Sequence, residues 1–505
     1  MSTIIETLGK NGETKSSIFY VKENIIKPEE FISEVKLFLA KQNSYLDEFI
    51  LILQHNFYAP WRQEEEKICI YYLFEREREN SSYYVSSIYP SNVFYTFNEG
   101  SVESSKKGKL LQICKVTITE FEEKKLFKEL KQNIFIKNKN NCFQPDNLFK
   151  FIPINILKPW GQEIWFTGVE KRGVAKVIPV DGDISIPIPW IFQALPSTLL
   201  GKQFEERQLI LVKILEPISE KVYGDLYYEL HTEKNEVYVV TKINSPSGKI
   251  KYGVNPEKLK TYTSKSVFKK ELLTVIKEYE NIRKKIDAYF DNFRIAEGIS
   301  LNEPILPNKI KEWQKKIPLE DVNEEEEKRK KMDSFAGYLD LDLADVIQVP
   351  ILVPHALQHG VTVVEFQTPT YERLILSFAQ KVLTQENWDT DKAVDIMQLA
   401  TPQKTNLKIL SKDEVYTEEV VCHFNEFRAS RITLEANKNV NLPTIEFYKI
   451  LFHLSGKLII NVSKLNGEKI RHEIAPGECI FIPANLEFSL QASNEKCILL
   501  MCIPN

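Results

Sequence analysis

The chain has 505 residues but only seven cysteines, seven histidines, six tryptophans and four methionines, and its charges nearly cancel. Cys69, Cys114, Cys142, Cys422, Cys479, Cys497 and Cys502 are scattered, with no C-x-x-C pair, which argues against a thiolate metal cage and against a disulfide framework. An odd number of thiols fits a reducing compartment, most of them acting as small buried apolar side chains. The opening text MSTIIETLGKNGETKSS has no basic flank followed by an apolar stretch, so no secretory leader is expected. No apolar run approaches the ~18 residues that span a bilayer. The net charge of −4, from 66 Lys+Arg against 70 Asp+Glu, offers no basic footprint for nucleic acid. The expectation is a cytoplasmic protein with neither a nucleic-acid nor a membrane partner; the oligomeric state is left open.

What is present is the material of large cores. Hydrophobic residues make up 43% and charged residues 27%, which excludes a wholly disordered chain. The length exceeds what one core holds, so about two to four domains are expected. Residues 1–150 mix strand text (Phe49 to Tyr58, Lys67 to Phe74) with an amphipathic helix over Glu120 to Gln132, and end in the polar turn Asn138 to Gln144. They read as an N-terminal accessory α+β domain without a catalytic motif. From 151 the text is punctuated by proline and rich in short β-runs, such as Leu209 to Ile214, Tyr227 to Leu230 and Glu236 to Ile243. Helical spacing takes over at Ser266 to Phe293 and again from Pro307 into the charge run Glu324 to Lys331, so about 255–335 reads as a helical insertion whose charge run is a solvated face. β-text returns at Val346 to Thr368 and fills about 405–505.

Phe447 to Val462 followed by Ala475 to Pro483 echoes Asp225 to Lys242 followed by Val349 to His355. This weak repeat suggests two barrels of one kind in tandem. The fold expected is therefore mainly β with a helical insertion: tandem cupin (jelly-roll) barrels plus the N-terminal α+β domain. The divisions expected are 1–150, a metal-binding domain over 151–400, and a C-terminal barrel over 401–505.

The strongest local signal is GDLYYELHTEKNEVYVV, Gly224 to Val240. On a strand, Tyr227, Glu229 and His231 share one face. After a short turn, Glu236 opens the next strand, and a hairpin brings it beside His231. His355, in VPILVPHALQHG, lies before another strand, VTVVEFQ. A carboxylate or imidazole two residues before a His, a Glu after four intervening residues, and a later His from a distant strand make up the cupin metal pattern. The short E-x-H-x4-E text also arises by chance; the His355 motif beyond the insertion sets this copy apart. Nitrogen and oxygen donors with an open position suit zinc, and also iron, manganese or nickel. The C-terminal block lacks an H-x-H at Phe452-His453-Leu454-Ser455 and has no His in Pro483 to Phe488, so that barrel is expected to be structural and metal-free. His359 reads as a surface residue or as a group behind the ligands, and His55, His423 and His472 have no partner pattern.

In their order, these residues resemble type I mannose-6-phosphate isomerases over about 155–400. Lys158-Pro159-Trp160-Gly161 looks like the family's opening Pro-Trp-Gly, and Trp190 with Leu199-Leu200-Gly201 like its short helical segment. Leu211 to Leu215 resembles the strand leading to the metal site. Glu229-Leu230-His231 and Lys234-Asn235-Glu236 fall where the family has Gln-x-His and Lys-x-Glu. Val349-Pro350, His355-Ala356, Gly360, Glu365-Phe366-Gln367 and Tyr371-Glu372-Arg373 follow its closing motif without a gap.

The resemblance implies one zinc ion or similar dication held by Glu229, His231, Glu236 and His355. It also implies Arg373 and Lys234 in catalytic positions, and interconversion of mannose 6-phosphate and fructose 6-phosphate or a similar sugar phosphate. An aldose–ketose isomerisation moves a proton between adjacent carbons through an enediol. A dication and a neighbouring cation can both stabilise the developing oxyanion. The general base is not named by the motif. Two departures keep alternatives open. Glu229 stands for the usual glutamine, and Thr232-Glu233 begins a shorter turn than the family's. A metal cupin of other chemistry, or a non-catalytic member binding a sugar or a partner, fits the same text. Arg373 also reads as a surface or helix residue, if LILSFAQKVL continues as a helix, and Lys234 as a solvated turn residue.

Overall fold

The computed structural model describes residues 16–21, 27–32, 48–76, 82–90, 96–98, 101–103, 127–464 and 467–505. Of the helix expected over Glu120 to Gln132, residues 120–126 lie outside the described residues, as does Cys114; 127–130 are helical and lead into the wider turn Lys131–Ile136.

The expected strands at 49–58 and 67–74 form a long antiparallel hairpin, Glu48–Ala59 with Glu64–Arg76, inside a four-stranded sheet. One face of this hairpin (Phe49, Leu51, Leu53, Ile70, Tyr72, Phe74) joins the same apolar core as Phe149, Ile188, Leu199, Val212 and Phe366. The N-terminal segment is therefore docked by shared burial. Polar contacts set its register: Tyr72 donates to the Ala194 carbonyl at 2.9 Å, Trp190 Nε1 to Glu66 at 2.9 Å, and Ser197 N to Glu29 at 2.8 Å.

The middle of the chain is a sandwich. A six-stranded sheet includes Gly161–Trp165, Leu211–Pro217, Glu236–Ile243 and Val361–Gln367; a five-stranded sheet includes Tyr228–Leu230, Gly248–Val254, His355–Leu357 and Leu374–Ser377. Side chains from both sheets meet between them, among them Leu215, Val240, Ile250, Ile347, Leu357 and Val363. Alternation sends Tyr227 to this interior and Tyr228 and Leu230 outward, against the helical insertion.

The insertion is built as the periodicity predicts. Helix Lys265–Glu297 buries Phe268, Leu272, Val275, Ile276, Tyr279, Ile282, Ile286 and Phe290 along one stripe. Ser264 caps its N-terminus by accepting from Val267 N, and Gly298 ends it with φ 69°. Pro307–Gln314 and Leu319–Asp333 follow; the charge run is on the second of these, where Glu325 turns inward to Tyr279.

The C-terminal region is a second sandwich. A nine-stranded and a four-stranded sheet share the core of Ile432, Leu451, Ile460, Ile480, Phe488 and Leu499. The nine-stranded sheet is not drawn from the C-terminus alone. Phe149–Ile152 pairs with Cys479–Ile482 on one edge and with Lys176–Pro179 on the other. The described cysteines, Cys69, Cys142, Cys422, Cys479, Cys497 and Cys502, are unbridged and buried. No helix among the described residues is long and apolar enough to cross a membrane.

Candidate metal centre

The chain reaches the site through Gly224, where any Cβ would lie 2.0 Å from the Ile218 carbonyl oxygen, so only glycine lets the two backbones approach. Strand Tyr228–Leu230 then pairs with His355–Leu357, setting Glu229 opposite His355. Strand Glu236–Ile243 crosses in the facing sheet, with Glu236 opposite Gln367. The turn between the two strands is tied to the segment 367–373. Thr232 N donates to the Glu372 carboxylate at 2.8 Å, and Asn235 N to Thr368 Oγ1 at 3.2 Å. Leu352 N donates to the His231 carbonyl at 2.7 Å, which draws in the segment preceding His355.

The four side chains that the sequence singled out as ligands converge. Among the described residues, Glu229, His231 and His355 present donor atoms all within 4.8 Å of one another. Glu236 lies among them, with Oε1 3.3 Å from His231 Nε2 and Oε2 3.2 Å from His355 Nε2. His231, Glu236 and His355 are at most 2% exposed. The imidazole tautomers follow from their other nitrogens. His231 Nδ1 lies 2.8 Å from the Glu372 carbonyl and His355 Nδ1 3.1 Å from the Val353 carbonyl. A carbonyl only accepts, so each Nδ1 carries the proton. In neutral rings this leaves both Nε2 lone pairs facing the carboxylate of Glu236. Neither Nε2 has a well-aligned hydrogen-bond partner, and neither does Oε2 of Glu229. Lone pairs aimed at a carboxylate repel unless a cation lies between them. The donor set thus fits a divalent ion of the nitrogen–oxygen class.

Both predicted catalytic cations are nearby. Lys234 is 8% exposed, not a solvated turn residue, and its Nζ lies 2.6 Å from Glu236 Oε1. Tyr238 donates to the other Glu236 oxygen at 2.8 Å. Burial pushes the Glu236 carboxyl upward, but the neighbouring Lys234 ammonium leads the pull the other way, and the group stays well below the usual carboxylate range. Arg373 Nη1 lies 3.5 Å from Glu229 Oε2, and the guanidinium stacks over the Tyr227 ring at 4.4 Å. The residues after Arg373 form strand Leu374–Ser377 rather than a continuing helix, because Leu374, Ile375 and Leu376 are buried on both faces.

Beyond these residues, a row of buried charges lines the interior of the sandwich. Lys213 Nζ lies 3.2 Å from Glu365 and 4.0 Å from Glu163, and Lys158 lies 3.1 Å from Glu163. Neither oxygen of Glu365 has a well-aligned hydrogen bond. Burial works to strip the proton from Lys213, but the carboxylates of Glu365, Glu163 and Glu236 prevail and keep it charged. Lys213 and Glu365 each had a visible signal, a single charge at an inward position of an apolar run (LVKIL, VTVVEFQ). Of the remaining histidines, His359 Nδ1 lies 2.7 Å from Asp225, His55 3.2 Å from Gln193, and His472 2.8 Å from Asn147.

Fold and site together define a cupin-like β protein with a candidate divalent-metal centre. The fold is similar to that of phosphomannose isomerase crystal structures. One is an arginine-to-alanine variant from Salmonella typhimurium, at TM-score 0.51 and 13% identity over 71% of this chain and 99% of that one. Another is a zinc-bound mannose 6-phosphate isomerase, at TM-score 0.50 and 11% identity over 71% of this chain and 100% of that one. At such identities the likeness is one of fold. No family model matches the sequence, and no curated protein matches it.

Proposed function

We propose that the chain is a metal-dependent aldose–ketose isomerase acting on mannose 6-phosphate or a similar sugar phosphate, with Glu229, His231, Glu236 and His355 holding one zinc ion. The observation that carries this reading is the pair of buried Nε2 atoms that face the Glu236 carboxylate without an aligned hydrogen bond. A dication held there supplies Lewis-acid polarisation of substrate oxygens.

The chain's own groups do the rest. Lys234 and Tyr238 keep Glu236 ionised and fixed in orientation. The Glu372 and Val353 carbonyls hold the two imidazoles in the tautomer that turns Nε2 inward. Arg373, stacked on Tyr227 and mostly shielded from solvent, offers a guanidinium to the oxyanion of an enediol or to the anionic substrate. The Lys213–Glu365 pair extends into the same interior and positions a polar floor beneath the site. The divisions 1–150, 151–400 and 401–505, as accessory, metal-bearing and metal-free tandem barrels, belong to the same proposal, together with a partner set free of nucleic acid and membrane.

A metal cupin of other chemistry is favoured by one feature, the carboxylate at Glu229. A second carboxylate among the four donors tightens a dication while lowering its Lewis acidity. A coupled assay of mannose 6-phosphate conversion by zinc-loaded protein, with His231→Ala as control, decides between them. Turnover lost in the variant supports the isomerase. A fully metallated wild type without turnover removes it and leaves the other chemistry.

A further inference from the structure

A cavity of about 590 Å³ opens between the N-terminal hairpin turn and the segment that leads into Glu372. Its size falls in the range of ~300–1,000 Å³ typical of small-molecule sites. Three features of its walls describe an occupant. The first is partly exposed aromatic surface. Tyr58 and Trp61 border it from the hairpin turn and Tyr371 from the opposite side, and Tyr58 and Tyr371 are 57% and 58% exposed. Arg172 covers part of the Tyr371 ring at 4.4 Å and Trp61 contacts Phe57, so the aromatic surface left to the cavity is chiefly that of Tyr58 and the uncovered part of Tyr371. Exposed aromatic surface at a concavity marks a ligand surface. A ring's electron-rich face attracts the weakly positive C–H groups of a pyranose.

The second feature is Gln367, which borders the cavity and is 4% exposed; its side-chain oxygen is buried with no hydrogen-bond partner. An orphaned acceptor of this kind costs about 1–3 kcal/mol unless a donor reaches it, and a sugar hydroxyl is such a donor. The third feature is charge. Lys27 on the rim is engaged by Glu205 at 3.0 Å and Glu206 at 2.9 Å, and Glu170 by Arg172. With the carboxylates of Glu170, Glu205 and Glu206 outnumbering the cations of Lys27 and Arg207 along it, the rim suits an uncharged ligand better than a phosphate. The turn itself is fixed: Arg62 N and Gln63 N both donate to the Ala59 carbonyl, at 3.0 and 2.8 Å.

We propose that this cavity, walled by the hairpin turn at Tyr58–Trp61 on one side and by Gln367 and Tyr371 on the other, binds a neutral carbohydrate of one or two pyranose rings. The site uses no metal ligand, and it stands apart from the isomerase reading. Occupancy joins the N-terminal hairpin to the 367–373 segment, whose Glu372 carbonyl orients His231.

The test is calorimetry and tryptophan fluorescence on the full chain titrated with mannobiose, in chelator-stripped and zinc-loaded protein. Saturable binding is expected in both, weakened at least about tenfold by Trp61→Ala and by Gln367→Leu and largely kept by Trp61→Phe. Tyr58→Ser, at an exposed position, weakens it several-fold and serves if Trp61→Ala does not fold. The proposal is overturned by no saturable response to mannobiose, by binding that these variants leave unmoved, or by binding of an apolar dye in place of the sugar. Because the stripped protein is measured directly, an absence of isomerase turnover has no bearing on the outcome.

Discussion

The two sandwiches of this chain are alike in plan and opposite in what they bury. Between the sheets of the middle one lie Lys158, Glu163, Lys213, Lys234, Glu236 and Glu365, almost all ion-paired, together with two imidazoles turned inward. Between the sheets of the C-terminal one the core is aliphatic, with Leu451, Ile460, Ile480, Ile482, Leu490 and Leu499. Its His453 is buried too, but its Nε2 faces the Ser455 carbonyl at 2.9 Å and the Cys497 thiol at 3.4 Å, with no carboxylate offered. A buried ion pair is at best a weak contributor to stability compared with well-packed apolar side chains. The C-terminal region shows that this sheet arrangement packs well without buried ion pairs. The sheet arrangement by itself therefore does not call for the charges of the middle region.

The comparison breaks most sharply at the imidazoles. His355→Ala is expected to lower bound zinc from about one per chain to under about a tenth, because a structural or catalytic site rarely survives loss of a ligand; elemental analysis after dialysis reads this directly. The matching change in the second region, His453→Ala, leaves metal content unchanged.

The next largest effect tests the charge row. Lys213→Met leaves Glu365 and Glu163 without their shared cation and is expected to cost about 3–5 kcal/mol in guanidinium unfolding. The double change Lys213→Met with Glu365→Leu should recover most of it. A single-variant loss below about 1 kcal/mol would mean that the row is solvated and the contrast between the regions false.

Lys449 sharpens the comparison from the other side. It departs from the aliphatic interior noted above: 3% exposed, its Nζ without a hydrogen-bond partner and 5.2 Å from the Phe488 ring centre. Burial lowers its pKa from 10.5 to about 8. A lysine with a depressed folded-state pKa destabilises the fold while charged. That penalty is complete below about pH 8 and fades as pH rises toward 10.5, where the unfolded chain also loses the proton. Stability should therefore climb with pH across this window. Lys449→Met should add about 1–3 kcal/mol at pH 7 and flatten the slope; unfolding midpoints from pH 7 to 10.5 measure both. The smallest effect is at Glu372. Glu372→Ala keeps the carbonyl that orients His231 but removes the carboxylate holding Thr232 N and Glu233 N. A roughly tenfold weaker zinc affinity in competition titrations is expected.

Local text carried the site further than it carried the fold. His231 and Glu236 were legible because a short turn separates them, although the expected hairpin does not form: the strands Tyr228–Leu230 and Glu236–Ile243 lie in facing sheets, and it is the crossing that brings the two side chains together. His355 was legible because its motif follows in order. The buried polar floor was harder to read. Glu163, Lys213 and Glu365 come from three strands whose neighbours are set by long-range pairing, Lys213 opposite both Trp165 and Glu365. Each sits in an apolar run where one charge is easily taken for a sheet edge. The hairpin at 48–76 and the long helix were legible from period alone. The pairing of Phe149–Ile152 with Cys479–Ile482 was not, because more than 300 residues separate the partners and no local pattern specifies which edge they share.

The central claim is that four side chains surround one dication. Anomalous scattering at the zinc edge from crystals of the zinc-loaded chain addresses it without reference to turnover. The account predicts a single strong peak bounded by Glu229, His231, Glu236 and His355, with both Nε2 atoms turned toward it. A peak elsewhere, or none while these four side chains touch only one another, contradicts it.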